Sequence, residues 1–345
     1  MKRYLFYVSQ NYSFQILRPL QQAICNRGDE VRWFLAGNEV NRDYLCSAEV
    51  QLGTIADIIE YQPLAVFAPG NMIPGFIPGL KVALFHGFDV GKMNRRGGED
   101  HFQIRGCFDL YCTQGPSTTA RFQELAEQHG YFRVVETGWP AIDPLFDAVD
   151  SDSGNRKPTI LLCSTFSRNL TCAPHLFDEV ARIRNKADWR WLVQFHPKMP
   201  ADIIIRYKEL QNENLTFIET DDVLPLLQQA DLMVCDTSSV LVMFLLLQKP
   251  VVTYKNISPG PYMHDISEAS GLESAIANAL KNPPELMQEI RQFANLIHPY
   301  RDGLSSERVL QAVEEHLSGS FTLKRKPRNI IRNFKARKKL AYWHL

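Results

Sequence analysis

The sequence lacks the metal-binding and nucleotide-binding motifs that identify many enzymes at first sight. Its seven cysteines are odd in number, and none forms a Cys-x-x-Cys pair or a Cys/His pair with zinc spacing. No His-Glu-x-x-His, Asp-x-Asp or paired acidic motif stands at a suitable position, and the Walker P-loop and Gly-x-Gly-x-x-Gly are both missing. We therefore expect no bound metal and no cofactor, and neither ATP hydrolysis nor hydride transfer by the usual motifs.

Long hydrophobic segments are also missing. The longest uninterrupted apolar run, Val240–Leu247, is far shorter than the ~20 residues that a membrane-spanning helix requires. The apolar stretch in Met1–Val8 is short and has no cleavage site after it, so it predicts a first strand rather than a signal peptide. Most cysteines lie inside apolar runs, which favours a reducing compartment. The predicted location is the cytoplasm.

Charge is balanced in total but unevenly distributed. The chain has 38 basic and 38 acidic residues, yet residues 324–345 hold nine Lys or Arg and no acid, which leaves 29 basic and 38 acidic elsewhere, a net charge of −9. Between Ile330 and Trp343, apolar residues alternate with basic ones in a pattern typical of a helix lying on an anionic membrane. A solvated disordered tail and a nucleic-acid contact are the alternatives. The acidic body argues against nucleic acid as the main partner.

Apolar runs and helical patterns alternate along the whole chain, which predicts α/β domains with parallel sheets. A chain of 345 residues fits two such domains. We expect two doubly wound, Rossmann-like domains that face each other across a cleft. The predicted divisions are residues 1–145 (first Rossmann-like domain), 146–157 (linker), 158–296 (second Rossmann-like domain), 297–320 (closing helix) and 321–345 (basic amphipathic tail).

The clearest candidate for a binding site follows a predicted buried strand that ends at Cys235. Asp236-Thr237-Ser238-Ser239 forms a polar turn there, and a hydrophobic helix begins at once. A hydroxyl in this turn can cap the helix, and the remaining free amides with the positive end of the helix dipole can hold a phosphate. An ordinary helix cap is the structural alternative, and it is compatible with an anion site.

Other polar residues follow the predicted strands at the edge where doubly wound sheets bind ligands. His86 beside Gly87 has the chemistry of a general base, and His196 with Lys198 could contact phosphate oxygens. Strand caps and solvated side chains are the alternatives. Further candidates are Thr165 and Arg168, which could add a hydroxyl and a guanidinium to the same cleft, and Gly87, Gly138 and Asp302 as residues that line it.

Several of these motifs occur together, in this order, in one known family. They are Leu84-Phe-His86-Gly87, Gly138-Trp-Pro140 with Asp143, His196-Pro197, Asp236–Ser239 with the helix that closes at Gln248-Lys-Pro250, and Asp302-Gly303. Over roughly residues 64–317 the chain resembles the CDP-glycerol glycerophosphotransferases of teichoic-acid and capsule synthesis, which have the GT-B fold.

The resemblance implies transfer of glycerol phosphate from CDP-glycerol to a hydroxyl of a polysaccharide or lipid-linked acceptor, with release of CMP. It implies that His86 takes the acceptor proton, that His196 stabilises the donor phosphates, and that Ser238 and Ser239 bind them. It also implies work at the inner membrane face. Two alternatives stay open: a sugar-nucleotide glycosyltransferase or UDP-sugar 2-epimerase-like enzyme, and a non-catalytic nucleotide-sugar-binding partner.

Overall fold

The structure is a computed structural model that describes residues 1–37, 39–89, 99–147, 156–186, 188–220 and 222–343, without the side chain of Ser239. The chain forms two compact units. Unit 1 comprises residues 1–144 and 296–345, and unit 2 comprises residues 145–295. Most of the predicted linker, 146–157, lies outside the described residues.

Unit 1 contains a six-stranded, wholly parallel sheet in the order β2-β1-β3-β4-β5-β6. Its strands are β1 (Arg3–Val8), β2 (Glu30–Leu35), β3 (Ala65–Ala68), β4 (Leu80–Ala83), β5 (Leu110–Thr113) and β6 (Arg133–Glu136). The helices between them are α1 (Ser13–Asn26), α2 (Ile55–Tyr61) and α3 (Pro116–His129). The direction of winding reverses between β1 and β3, so the carboxyl ends of these two strands flank a crevice of the kind that binds ligands.

Local sequence explains where several of these elements begin and end. Thr54 and Asp57 form a capping box at the start of α2, in which each side chain accepts a backbone N–H of the other residue. α3 begins with Pro116 and ends at Gly130, which adopts the left-handed conformation of a helix C-cap. The strands β3 and β5 are buried at every residue, because a parallel sheet is covered on both faces.

Unit 2 contains a second parallel sheet in the order β12-β11-β10-β7-β8-β9. Its strands are β7 (Thr159–Ser164), β8 (Arg190–Phe195), β9 (Leu215–Phe217), β10 (Leu232–Cys235), β11 (Val251–Tyr254) and β12 (His264–Ile266). The helices are α4 (Ala173–Ile183), α5 (Ala201–Glu209), α6 (Leu224–Gln229), α7 (Ser239–Leu246), α8 (Leu272–Ala279) and α9 (Pro284–Ile297). Here the winding reverses between β7 and β10. Two doubly wound parallel sheets confirm the predicted fold class.

After α9 the chain adds α10 (Ser305–Ser318) to unit 1, where it packs on α1 and β5. Val309, Leu310 and Val313 of this helix are fully buried in the unit 1 core. Asp143 accepts the backbone N–H groups of Ser305 (2.9 Å) and Ser306 (2.8 Å), so its carboxylate caps the first turn of α10.

The basic tail crosses the surface of unit 1 and ends in α11 (Ile330–Lys339). Asn333 Oδ1 accepts the Gly75 N–H at 2.8 Å, Ala336 is buried, and the Arg337 guanidinium lies 4.6 Å from the ring centre of Phe76. Leu340 also packs on the core. These four tail residues share one face at helical spacing, so the tail is docked through a defined side of α11.

Candidate active site

Asp236 joins the two strands between which the winding of unit 2 reverses. It follows β10 and is fully buried, and its Oδ2 accepts hydrogen bonds from Ser164 Oγ (2.7 Å), Thr165 N (3.0 Å) and Cys172 N (3.0 Å). The carboxylate is thereby committed to the loop between β7 and α4. Asp236, included among the predicted donor-binding residues as part of the polar turn, thus does not present its carboxylate to a ligand; the carboxylate positions the loop that carries Thr165.

The turn that follows Asp236 is a helix cap. Ser238 is the N-cap of α7, and its Oγ accepts the Val240 N–H at 3.3 Å. Thr237 Oγ1 accepts the Ile257 N–H at 3.1 Å, which ties the turn to the loop after β11. Ser239 begins α7, but its side chain lies outside the described residues. The positive end of the α7 dipole thus stands at the carboxyl edge of the sheet, where a phosphate could bind.

His196 and Lys198 follow the neighbouring strand β8, at the same edge. The imidazole lies 4.5 Å from the ring of Phe166, and Lys198 Nζ lies 5.7 Å from the centre of that ring. Phe166 belongs to the β7–α4 loop, so the structure brings Thr165, His196 and Lys198 into one neighbourhood. Arg168 lies further along the same loop, with an exposed side chain.

The hydrogen bonding of His196 defines its chemical state. Its Nδ1 accepts the Lys198 backbone N–H at 3.1 Å, so in the neutral ring the proton is on Nε2. Partial burial and the Lys198 ammonium both lower the pKa of His196. At neutral pH the residue is therefore a neutral hydrogen-bond donor, suited to a phosphate oxygen.

In unit 1, His86 is exposed just beyond β4, and the backbone before it is strained. Phe85 has a φ of 60°, a left-handed conformation that costs an aromatic residue about 1–2 kcal/mol. Strain of this kind gathers at functional sites. The imidazole of His86 stacks on Tyr12, with 5.2 Å between ring centres, and the Gly87 carbonyl accepts Gln114 Nε2 at 3.1 Å.

Two residues near His86 were missed by the sequence analysis. Tyr12 carries no recognisable motif, and its stacking on His86 depends on the loop after β1. His101 stacks on Phe85 at 5.1 Å, and its Nε2 is buried without a hydrogen-bond partner among the described residues. Burial lowers the pKa of His101, while Asp89 raises it and His86 lowers it electrostatically. The high density of His and aromatic residues in the segment after β4 could have indicated His101, whereas no sequence signal indicates Tyr12.

Two of the residues predicted to line the cleft, Gly138 and Asp302, have other surroundings. Gly138 is buried, and a Cβ on it would lie 2.5 Å from Ser305 Oγ and 2.8 Å from His298 Nε2. It permits close packing of α10 and does not line open space, which corrects the prediction. Asp302 is ion-paired with Arg308, and its Oδ1 accepts the Leu304 N–H at 3.1 Å, so it holds the turn before α10.

Metal binding finds no structural counterpart in the part of the chain that is described: no group of three or more His, Cys, Asp or Glu residues there could hold an ion. The two doubly wound sheets, with imidazoles and a helix N-terminus at their carboxyl edges, are those of the GT-B fold class. A family model described as CDP-Glycerol:Poly(glycerophosphate) glycerophosphotransferase matches residues 108–315, more than half of the chain. The chain belongs to this family, which confirms the family that its motifs indicated.

Similarity to individual proteins agrees with this assignment. The teichoic acid glycerol-phosphate primase of Bacillus subtilis (strain 168) is 24% identical over 210 residues, which are 54% of this chain and 52% of the relative. The chain thus spans about half the length of the curated relative that it matches.

Solved structures share the fold. A structure of the wall teichoic acid polymerase TagF with CDPG superposes with a TM-score of 0.63 and 14% identity, covering 92% of this chain and 88% of that one. A UDP-N-acetylglucosamine 2-epimerase described as putative, from Listeria monocytogenes, gives a TM-score of 0.65 and 15% identity, covering 93% and 98%. At these identities the likeness shows the fold alone.

Proposed function

We propose that this protein transfers glycerol phosphate from CDP-glycerol to a hydroxyl of a polysaccharide or lipid-linked acceptor, with release of CMP. The observation that carries the proposal is the neutral His196, whose Nδ1 accepts the Lys198 N–H so that Nε2 carries the proton, at the edge that also presents the α7 N-terminus. The His196 Nε2–H, the Lys198 ammonium and the α7 N-terminus together supply hydrogen-bond donors and positive charge, which suit a diphosphate. Membership of the glycerophosphotransferase family supports the choice of donor.

The reaction is a substitution at the phosphorus that carries glycerol. His86 removes the proton from the acceptor hydroxyl, and the oxygen forms a bond to that phosphorus. The bond from phosphorus to the bridging oxygen breaks, and CMP leaves with the electron pair. His196, Lys198 and the α7 N-terminus stabilise the negative charge that develops on the phosphates. No step calls for a metal ion.

The test measures CMP release from CDP-glycerol, with UDP-N-acetylglucosamine supplied in parallel. His86→Ala should lower kcat by about 100-fold or more, the typical contribution of a general base, and leave donor affinity unchanged. His129→Ala, at an exposed histidine of the same unit, is the matched control. An equal loss of donor affinity would remove the base assignment. UDP release in place of CMP would establish the glycosyltransferase or epimerase alternative, and binding without turnover the non-catalytic one.

We further propose that α11 attaches the protein to the anionic inner face of the membrane. None of the helices in the described residues is long and apolar enough to cross a bilayer. The exposed side chains of α11 include Ile330, Ile331 and Phe334, which are 70%, 72% and 58% exposed, and Trp343 packs its ring 5.6 Å from Phe334. Lys335 and Lys338 are exposed on the same helix. The combination fits an interfacial helix.

Because the tail is packed on unit 1, changing its exposed face is a sharper test than removing it. Replacing Ile330, Ile331 and Phe334 by Ser should abolish sedimentation with vesicles that contain phosphatidylglycerol. Replacing Ile205 and Leu317, exposed apolar residues elsewhere, should not. Equal sedimentation of both variants, or equal binding to neutral phosphatidylcholine vesicles, would contradict membrane attachment through α11.

A further inference from the structure

The basic tail holds the segment of unit 1 that leads from the candidate base to β5. Asn329 Nδ2 donates to the backbone carbonyls of Arg105 (3.2 Å) and Gly106 (2.9 Å). The Arg332 guanidinium also donates to the Arg105 carbonyl. Gly106 is buried, and a Cβ on it would lie 2.7 Å from Pro327 Cγ, so the tail packs directly on this backbone. Buried carbonyls need hydrogen-bond partners, and the tail supplies one here.

The side chain of Arg105 extends this contact to the turn that carries His101. Its Nη1 donates to the Gln103 carbonyl at 3.4 Å, and its Nη2 lies 3.9 Å from Asp100 Oδ1. The Gln103 N–H donates to the Asp100 carbonyl at 3.4 Å, which closes the turn around His101. Arg105 therefore contacts the tail through its backbone and the turn of His101 through its side chain.

His101 supports the strained residue that precedes the candidate base. Its ring lies nearly parallel to that of Phe85, with 5.1 Å between centres and 15° between planes, and Phe122 lies 5.0 Å from the same ring. Phe85 has a φ of 60°, and a conformation of this kind persists only where the surrounding structure fixes it. Because His86 is the next residue, the direction of its side chain depends on this backbone.

The contribution of His101 is packing rather than hydrogen bonding. Its Nε2 is buried without a hydrogen-bond partner among the described residues, and burial lowers the pKa of the imidazole, so the ring is neutral at neutral pH. A neutral aromatic ring in this position stacks on Phe85 as a phenyl ring would. This makes the effect of the ring separable from that of its nitrogen atoms.

We propose that the docked tail positions the candidate base. Asn329 fixes Arg105 and, through it, the turn of His101. The ring of His101 fixes Phe85 and so the direction of His86. The inference rests on the proposed transfer reaction, in which His86 is the base, and it makes Asn329 and His101 positioning residues that do not touch the substrate. It also connects the helix proposed to face the membrane with the site of proton transfer.

The first test measures kcat and KM for CMP release from CDP-glycerol by the full-length protein without vesicles, so that membrane attachment plays no part. Asn329 has a φ of 48°, so Asn329→Gly removes the amide without straining the backbone. It should lower kcat about tenfold or more, since a displacement of 1 Å can cost about 100-fold. KM should not change, because the candidate donor residues lie in unit 2. Asn282→Gly, at an exposed asparagine of unit 2 with a φ of 50°, is the matched control and should change neither constant.

Two substitutions of His101 test the stacking. His101→Ala removes the ring and should lower kcat about as much as Asn329→Gly, whereas His101→Phe keeps a ring on Phe85 and should restore most of the activity. The double variant Asn329→Gly/His101→Ala should be no slower than the slower single variant, because both changes act through the same contacts, whereas independent changes add. Thermal melting of each variant verifies the fold. Additive losses, or a His101→Phe as slow as His101→Ala, would overturn the inference.

NMR of the histidine rings separates this inference from the transfer reaction itself. The resonances of the His86 imidazole, assigned with His86→Gln, should shift in Asn329→Gly and stay in place in Asn282→Gly. If the wild type releases no CMP, the proposed reaction fails, and the shift still shows that the tail positions His86. If the wild type releases CMP while Asn329→Gly retains its kcat and its His86 resonances, the reaction stands and the positioning role of the tail is wrong.

Discussion

Oδ2 of Asp236 and Oγ of Ser164 lie 2.7 Å apart, although 72 residues separate them in the chain. This hydrogen bond joins the carboxyl ends of β10 and β7, between which the winding of unit 2 reverses. The same carboxylate accepts the N–H of Thr165 and that of Cys172. One buried side chain thus fixes the loop that faces His196.

We predict that Asp236→Asn weakens both folding and donor binding. An amide in place of the carboxylate would turn an NH₂ group towards backbone donors, and a buried donor left without a partner costs about 1–3 kcal/mol. Urea unfolding should show a loss of this size or larger. Displacement of the β7–α4 loop should also raise the Kd for CDP-glycerol, measured by calorimetry.

Asp231→Asn is the matched control for this prediction. Asp231 accepts the Thr159 N–H at 2.7 Å, so it binds the opposite, amino end of the same strand β7, and it also pairs with Arg156. Its replacement should reduce stability without changing donor affinity. If both variants weakened donor binding equally, the effect would reflect unfolding alone, and the positioning role of Asp236 would be wrong.

Gly138 offers a test of how closely α10 packs on unit 1. Gly138→Ala introduces a Cβ 2.5 Å from Ser305 Oγ at a residue whose φ is 80°, whereas Gly28→Ala, at φ 74°, meets nothing within 4 Å. Both substitutions incur the left-handed penalty of about 1–2 kcal/mol, and only Gly138→Ala adds an overpacking cost of about 1–3 kcal/mol. Thermal and urea unfolding should show this difference. Equal losses would mean that α10 adjusts freely.

The state of His196 can be followed directly by NMR. The neighbouring Lys198 ammonium contributes to its lowered pKa, so Lys198→Ala should move the midpoint of the His196 titration to higher pH. Lys281→Ala, an exposed lysine on the same unit, should leave the midpoint where it is. A midpoint that did not move on removal of Lys198 would show that partial burial alone sets the proton affinity of His196.

The regular elements could largely be predicted from the sequence. Parallel strands are buried on both faces and therefore appear as continuous apolar runs, as at Leu232–Cys235. The strand β12, His264–Ile266, was missed because it is short, polar and partly exposed at the edge of its sheet. Its sequence carries no apolar run to indicate it.

The candidate site was only partly predictable, because its geometry depends on contacts between distant segments. The sequence indicated that Asp236 follows a strand. It could not show that β7 lies beside β10, or that the Asp236 carboxylate therefore accepts hydrogen bonds from the loop after β7. It gave no sign of the left-handed Phe85, which depends on the packing around β4. The tail was predicted as an amphipathic helix, yet its docked face becomes visible only when unit 1 is assembled.

Lys81 provides a prediction about stability and pH. It is 7% exposed, its Nζ donates to the Gly79 carbonyl at 3.2 Å, and burial, reinforced by Lys326, lowers its pKa from 10.5 to about 8. Between these two pH values the unfolded chain holds a proton at Lys81 that the folded protein has released. The free energy of unfolding therefore rises with pH in this window, and below about pH 8 the folded state bears the full cost of a buried ammonium.

We accordingly expect Lys81→Met to stabilise the protein at neutral pH by roughly 1–3 kcal/mol, since each unit of pKa shift corresponds to about 1.4 kcal/mol. The stabilisation should shrink as the pH rises from about 8, and it should vanish only above 10.5, where Lys81 is neutral in both states. Urea unfolding of the wild type and the variant at a series of pH values measures this difference, with Lys281→Met as the exposed control. A stability difference that stayed constant with pH would mean that Lys81 keeps an ordinary proton affinity in the fold, and that its ammonium is solvated beside the docked tail.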